Sequence, residues 1–285
     1  MSGVLRSLRA ESYRLVRSRP AWLAALFLAL LSAARVLFAR AADGAQRTQA
    51  LIAGRTPAAD GTEGTGWAPL VDGWRTGLIA GTLLLLLHAS RTIAADRESG
   101  VLRLTITRSC SRGAVVVARA LLAVPLILFV VLITGLGAWA SALPFHDFGP
   151  LVEDGYEFLS ARELRHELGL AALATVPALL ATYAFGLFLS ALIRGAASAV
   201  TVALSLFLGF DLFKETLGEA QYLVFAAFAP SFVDGSLMNE MSGLARGFSD
   251  AGFAAGILER NLTLPWPQAL VFVGLAAWIA TRRSA

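Results

Sequence analysis

Residues 76–112 read TGLIAGTLLLLLHASRTIAADRESGVLRLTITRSCSR. From Thr76 to Ala95 the run is apolar and, wound as a helix, long enough to cross roughly 30 Å of hydrocarbon. At Asp96 the character changes: the 17 residues to Arg112 carry Arg97, Arg103, Arg108 and Arg112, and a second apolar run starts at Ala114. A charged segment between two runs too apolar to stay in water predicts two membrane-crossing helices joined by a loop in water.

The rest of the chain repeats the pattern. Of 285 residues, 56% are hydrophobic and 15% charged, with a mean hydropathy of +0.66. That is too much apolar surface for one water-soluble core, so the bilayer is the solvent implied. Six stretches approach spanning length: Pro20–Ala39, Thr76–Ala95, Ala114–Leu143, Gly169–Ile193, Gly195–Phe213 and Leu264–Thr281. Two shorter pieces, Tyr222–Val233 and Gly252–Leu258, cannot cross and read as half-helices. The expected fold is all-α, a polytopic membrane protein of a single domain over residues 1–285. It has an elbow helix over 1–19, a loop over 96–113 and a re-entrant segment over 214–263.

Positive charge orients the spans. With the N-terminus placed inside, inner segments and span ends hold 14 of the 24 bases but only three of the 20 acids, Glu11, Asp96 and Glu98. The acids gather instead at Asp147, Glu153, Asp154, Glu157, Glu163 and Glu167, between the third and fourth spans. The expected location is the cell membrane, crossed several times, with both termini cytoplasmic. The first apolar run reads as an anchor rather than a cleaved signal sequence, because its charged lead is long and the run has spanning length. Leu5, Leu8, Ser12, Leu15 and Val16 share one helical face of that lead, which suits a helix lying in the interface.

Between the first two spans, Ala41–Asp72 has little periodicity and reads as an outer loop. After the third span, Ser160 and Glu163 have the spacing of a capping box for a short acidic helix over Ser160–Leu168. Arg194-Gly195 leaves spans four and five so short a connection that they must form an antiparallel hairpin. Gly135 and Gly137 suit close helix packing. Pro125 and Pro177 suit kinks.

Several kinds of chemistry are excluded. A nucleotide-hydrolysing P-loop needs a lysine after its glycines, and the one lysine, Lys214, stands in LFKETL at the end of the fifth span. His166-Glu167 lacks the second histidine of a zinc-protease helix, and no Gly-x-Ser-x-Gly elbow occurs. One cysteine, Cys110, rules out an intrachain disulfide. His146, Asp147, Glu153, Asp154 and Glu157 match no metal-ligand spacing and read as a solvated acidic face. No soluble segment interleaves basic and aromatic residues as nucleic-acid binding requires. No catalytic, cofactor-binding or metal-binding residue is therefore expected, and His88, late in the second span, is the one candidate intramembrane site.

The loop is a different matter. Gly100-Val101-Leu102-Arg103-Leu104 and Thr105-Ile106-Thr107-Arg108 alternate apolar and basic positions. As a small interfacial helix they would offer a partner both an apolar anchor and charged handles.

With that loop the chain resembles the ABC-2 type transporter permeases, in particular the six-span membrane subunits of nitrous-oxide-reductase maturation and lantibiotic-immunity exporters. The likeness rests on Asp96-Arg97-Glu98-Ser99-Gly100-Val101-Leu102-Arg103-Leu104 and on Thr107-Arg108-Ser109-Cys110-Ser111-Arg112-Gly113. It departs at Ser109 and Cys110, where the family has proline and valine. The resemblance implies a permease whose Asp96, Arg97, Glu98, Gly100, Leu102, Arg103, Leu104, Arg108 and Arg112 couple it to a separate P-loop ATPase. It implies a second permease chain, with ATP and Mg on the ATPase and none on this chain. The alternative from another class is a membrane scaffold or assembly factor whose loop recruits a cytosolic partner without conducting a substrate.

Overall fold

The computed structural model describes residues 3–53, 65–101, 111–153, 156–233, 235–248 and 255–282. Its fold is all-α, and six helices are long and apolar enough to cross a membrane: Arg19–Ala45, Trp67–Glu98, Arg112–Ala142, Ala161–Leu192, Ala196–Leu223 and Gly256–Arg282. In chain order the elements are α1 (Gly3–Val16), α2 (Arg19–Ile52), α3 (Trp67–Glu98), α4 (Arg112–Ala142), β1 (Leu151–Glu153), β2 (Tyr156–Leu159), α5 (Ala161–Leu192) and α6 (Ala196–Phe213). Two 3₁₀ segments, Lys214–Leu223 and Phe225–Ala227, lead to α7 (Leu237–Leu244), α8 (Ala255–Thr263) and α9 (Pro265–Arg282).

α3 is the axis, packed against α2, α4, α5, α6 and α7. Its glycines explain how. A β-carbon on Gly73 would meet Val36 at 2.5 Å, one on Gly77 would meet Ser32 at 1.9 Å, and one on Gly81 would meet Val130 at 2.6 Å. Spaced by four, these glycines form a smooth strip that lets α2 and α4 close on α3. A β-carbon on Gly137 of α4 would likewise meet the Ala29 carbonyl oxygen at 2.5 Å, and one on Gly135 would meet the Trp74 ring at 2.8 Å. The paired residues run in opposite order along α2 and α3 and along α3 and α4, so these neighbours are antiparallel. α1 and the last turn of α9 lie at one end of the bundle, beside the start of α4 and called here the terminal end; the opposite one is the far end.

Pro125 and Pro177 stand inside continuous helices. Ile193–Gly195 alone joins α5 to α6, and Phe185 and Leu189 pack beside Ala203 and Phe207 as the short connection requires.

Two expectations need correction. Ala41–Asp72 is not one loop: α2 continues to Ile52 and α3 starts at Trp67. Adding a turn to a helix already nucleated costs little, and AADGAQRTQALI is rich in helix formers. Residues 54–64 lie outside those described. The capping box is present, Ser160 Oγ accepting from Glu163 N at 3.2 Å and Glu163 Oε2 from Ser160 N at 2.9 Å. It begins not a separate acidic helix but α5 itself, whose 32 residues extend roughly 48 Å and so stand well beyond the hydrocarbon. The segment before it holds an antiparallel hairpin, β1 with β2. Leu151 and Leu159 pair across it and are both buried in the core, which lays the hairpin over the far end.

Candidate functional site

The last turn of α3, where the sequence becomes charged, joins four other elements through three consecutive side chains. The first is Asp96, buried, whose Oδ2 accepts a short hydrogen bond from Arg119 Nη2 on α4. Its Oδ1 takes Arg14 Nη1 of α1 at 3.5 Å. Arg119 also grips α1, donating from Nε at 3.1 Å and from Nη2 at 2.7 Å to Glu11 Oε1. At 3% exposure Arg119 is almost wholly enclosed, a situation an arginine tolerates only when paired. Its Nη1 is buried with no hydrogen-bond partner among the described residues.

The second is Arg97. Its guanidinium donates to Ile193 O and Ala191 O, each at 3.2 Å, at the C-terminus of α5. Carbonyls there lack intrahelical donors and carry the negative end of the helix dipole, so a cation closes them. The third is Glu98, whose Oε1 accepts from Ala196 N at 2.9 Å. The N-cap of α6 is Gly195, which has no side chain to offer. Glu98 supplies that cap from another helix, with the charge sign the dipole favours. One turn earlier, Ser190 Oγ of α5 accepts from Ile93 N and Ala94 N, both at 3.0 Å, and fixes the height of α5 against α3.

Beyond this knot the helix stops. Ser99 N and Gly100 N reach back to Ala95 O and Arg97 O at 3.0 and 3.3 Å, and Gly100 has φ +73°. Among the described residues no atom lies within 4 Å of where its β-carbon would be, and the positive φ by itself selects glycine. Val101 is exposed. Leu102, Arg103, Leu104 and Arg108 lie outside the described residues. Arg112 opens α4, behind a Ser111 cap that accepts from Ala114 N at 3.2 Å.

The structure turns Asp96, Arg97 and Glu98, consecutive at the end of α3, inward onto α1, α4, α5 and α6. α1 lies with Ser7, Leu8, Glu11 and Leu15 toward the protein, while Leu5 and Val16 are exposed. His88 is half-buried, its ring 6.2 Å from that of fully buried Tyr183 on α5. It makes none of the ion pairs of the Asp96 knot.

Two charged groups at the far end were missed by sequence reasoning. Asp211, fully buried on α6, accepts from Lys214 Nζ at 2.9 Å, Ser231 Oγ at 2.5 Å, Phe232 N at 3.1 Å and Val233 N at 3.3 Å. Lys214 completes its set on Ala226 O and Ser231 Oγ. Asp72 on α3 accepts from Ser242 Oγ of α7 at 2.7 Å, Arg35 Nη2 of α2 at 3.1 Å and, in a short bond, Arg246 Nη2. The signals were present: an acid inside an apolar run needs a partner, and Lys214 stands three residues after Asp211. Among the described residues no three His, Cys, Asp or Glu side chains gather as a metal site.

Neither any protein-family model nor any curated protein matches the chain.

Proposed function

We propose that this chain is the membrane-spanning subunit of an ATP-driven exporter, in which a separate P-loop ATPase docks on the loop after α3. The observation that carries the reading is the Asp96-Arg97-Glu98 knot. A partner seated on residues 99–111 would hold the end of a helix whose last turn is tied to α1, α4, α5 and α6, so a push there moves most of the bundle. A loop serving only as a turn needs no such ties, because each costs the desolvation of a charge. The division of labour follows: Asp96, Arg97 and Glu98 transmit force within the chain, while Gly100, Leu102, Arg103, Leu104 and Arg108 meet the partner. The resemblance to the ABC-2 permeases supports the same reading and supplies its further terms: cytoplasmic termini, a second permease chain, and ATP with Mg on the partner.

The purified chain is expected to hydrolyse no ATP alone and to gain the activity with an ATPase encoded beside it. Co-purification tests the docking. Arg103→Glu should weaken the complex by about 2–5 kcal/mol if the contact is buried, whereas Arg282→Glu, basic but outside the loop, should leave it intact. Retention of the ATPase by Arg103→Glu, Gly100→Pro and Leu104→Asp alike would overturn the assignment. ATP-dependent uptake into inverted vesicles then separates an exporter from a scaffold, which would bind the partner and move nothing.

A further inference from the structure

The Asp72 cluster has an unbalanced charge. One carboxylate serves two guanidiniums: Oδ1 holds Ser242, and Oδ2 holds both Arg35 and Arg246. The Asp72 side chain is 8% exposed, whereas those of Arg35 and Arg246 are 42% and 36% exposed, so the arginines have open faces where the acid has none. Among the described residues Arg35 makes no further hydrogen bond, which leaves its Nε and Nη1 free to donate. Arg246 uses Nη1 on Ser242 and Nη2 on Asp72, leaving Nε.

Geometry makes the pair a clamp. Both Nη2 atoms bind the same carboxylate oxygen, so they lie no further apart than two hydrogen bonds laid end to end, roughly 6 Å. Two guanidiniums held at that spacing, one with Nε and Nη1 open and the other with Nε, suit an oxyanion that can accept from both. The depth of the site makes a ligand more than optional. Arg35 stands within the part of α2 that is long and apolar enough to cross a membrane, and Leu30, Leu37 and Phe38 around it are exposed as lipid-facing side chains are. A cation at such a position calls for an opposite charge, and Asp72 meets only half the demand of the pair. The site is anchored, since α2, α3, α7 and the turn after α7 each contribute a group.

We propose that Arg35 and Arg246 form a phosphate-binding site at the far end of the bundle, with Asp72 as the post that holds the two arginines in register. The phosphate can come from a lipid headgroup or from solution, and the apolar surround of Arg35 favours the lipid. This site does not rest on the exporter reading and would stand if that reading failed.

The test is thermal unfolding of the full chain in two arms at constant ionic strength. In neutral detergent, inorganic phosphate is titrated against chloride; in nanodiscs of phosphatidylcholine, phosphatidylglycerol is added in steps. Stabilisation in the second arm alone assigns the lipid, and stabilisation in the first assigns free phosphate. In whichever arm responds, Arg35→Gln and Arg246→Gln should each weaken the apparent affinity about tenfold or more, the loss of one charged fork. Each leaves Asp72 with one arginine, so the fold keeps a neutral pair. Arg260→Gln, an arginine nearby in the chain that faces Glu219, is the control for general charge and should change nothing. Asp72→Asn decides between a site and a mere cross-link. It removes the competing acid and should tighten phosphate binding even as it lowers basal stability, an outcome no structural role produces. No stabilisation in either arm, or one equal in wild type, Arg35→Gln and Arg246→Gln, would overturn the proposal.

Discussion

At the far end Asp211 and Lys214 are sealed together: the acid is 0% exposed, the lysine 2%, and each finds at least three partners. At the terminal end Arg119 is almost as enclosed, yet its two acids are not, for Glu11 keeps 21% of its side chain exposed and Asp96 11%. One Arg119 nitrogen is left without a partner among the described residues, and the fourth member, Arg14, is 68% exposed. The first knot fixes the 3₁₀ segment after α6 to that helix. The second joins a surface helix, α1, to the turn of α3 that precedes the loop. A closed network has one low-energy arrangement; an open one, reached by water, can exchange partners at small cost. The contrast places rigidity at the far end and freedom to shift beside the proposed docking loop.

Lys214→Met should break the contrast most visibly. It strands Asp211 in a dry site, and unfolding in mild detergent should show a loss of about 3–5 kcal/mol. Adding Asp211→Leu should recover most of that loss, because removing both partners also removes the stranded charge. A single variant as stable as wild type would mean that water already reaches the pair.

Arg119→Gln tests the other side. Because Glu11 and Asp96 border solvent and Arg14 remains beside Asp96, the expected cost is smaller, about 1–2 kcal/mol. It should fall on one element: limited proteolysis should cut within α1 before any other helix is lost. Global unfolding equal to that of Lys214→Met would erase the proposed difference between the ends.

Smaller still is Glu98→Gln, which keeps a hydrogen-bond acceptor for Ala196 N but removes the charge at the start of α6. A loss of about 0.3–1 kcal/mol is expected, lessened by salt. A salt-independent loss would show that the contact acts through geometry alone.

Much of this arrangement could be read from the residues. Six spans, the Ser160–Glu163 cap, the positive-φ turn at Gly100 and the place where α3 ends all follow from local rules of periodicity, capping and backbone conformation. What escaped was non-local. That Glu98 caps α6, that Arg97 closes α5 and that Asp72 meets Arg246 are facts about residues roughly a hundred or more apart in the chain, and nothing in a single sequence states which helix lies beside which. The strip Gly73, Gly77, Gly81 is an exception, a spacing of four visible in the chain and passed over because the apolar run was read for length alone. The extent of α2 escaped for another reason: residues 41–52 lack an apolar stripe, so the pattern falls silent while the backbone continues.

The smallest expected effect concerns His146, just beyond α4 at the far end, which like Arg119 has a buried nitrogen, here Nε2, without a partner among the described residues. Burial, and then the positive charge of Arg40, lower its pKa below the ordinary value near 6.5, with Asp43 opposing weakly. The folded chain therefore resists the proton that the unfolded chain accepts. As pH falls through the ordinary histidine range, protons bind preferentially to the unfolded state and stability drops; above that range the imidazole is neutral in both states and the effect vanishes. Arg40 lies over the Phe145 ring at 3.7 Å, which keeps its charge near the imidazole. Melting curves between about pH 7.5 and 5 should thus decline for wild type and decline less for His146→Gln, with the two meeting at the alkaline end. Arg40→Gln should recover part of the difference and leave the part due to burial. A wild-type curve flat across that interval would mean that Nε2 finds water when it needs a partner, and that the far end is sealed only at Asp211.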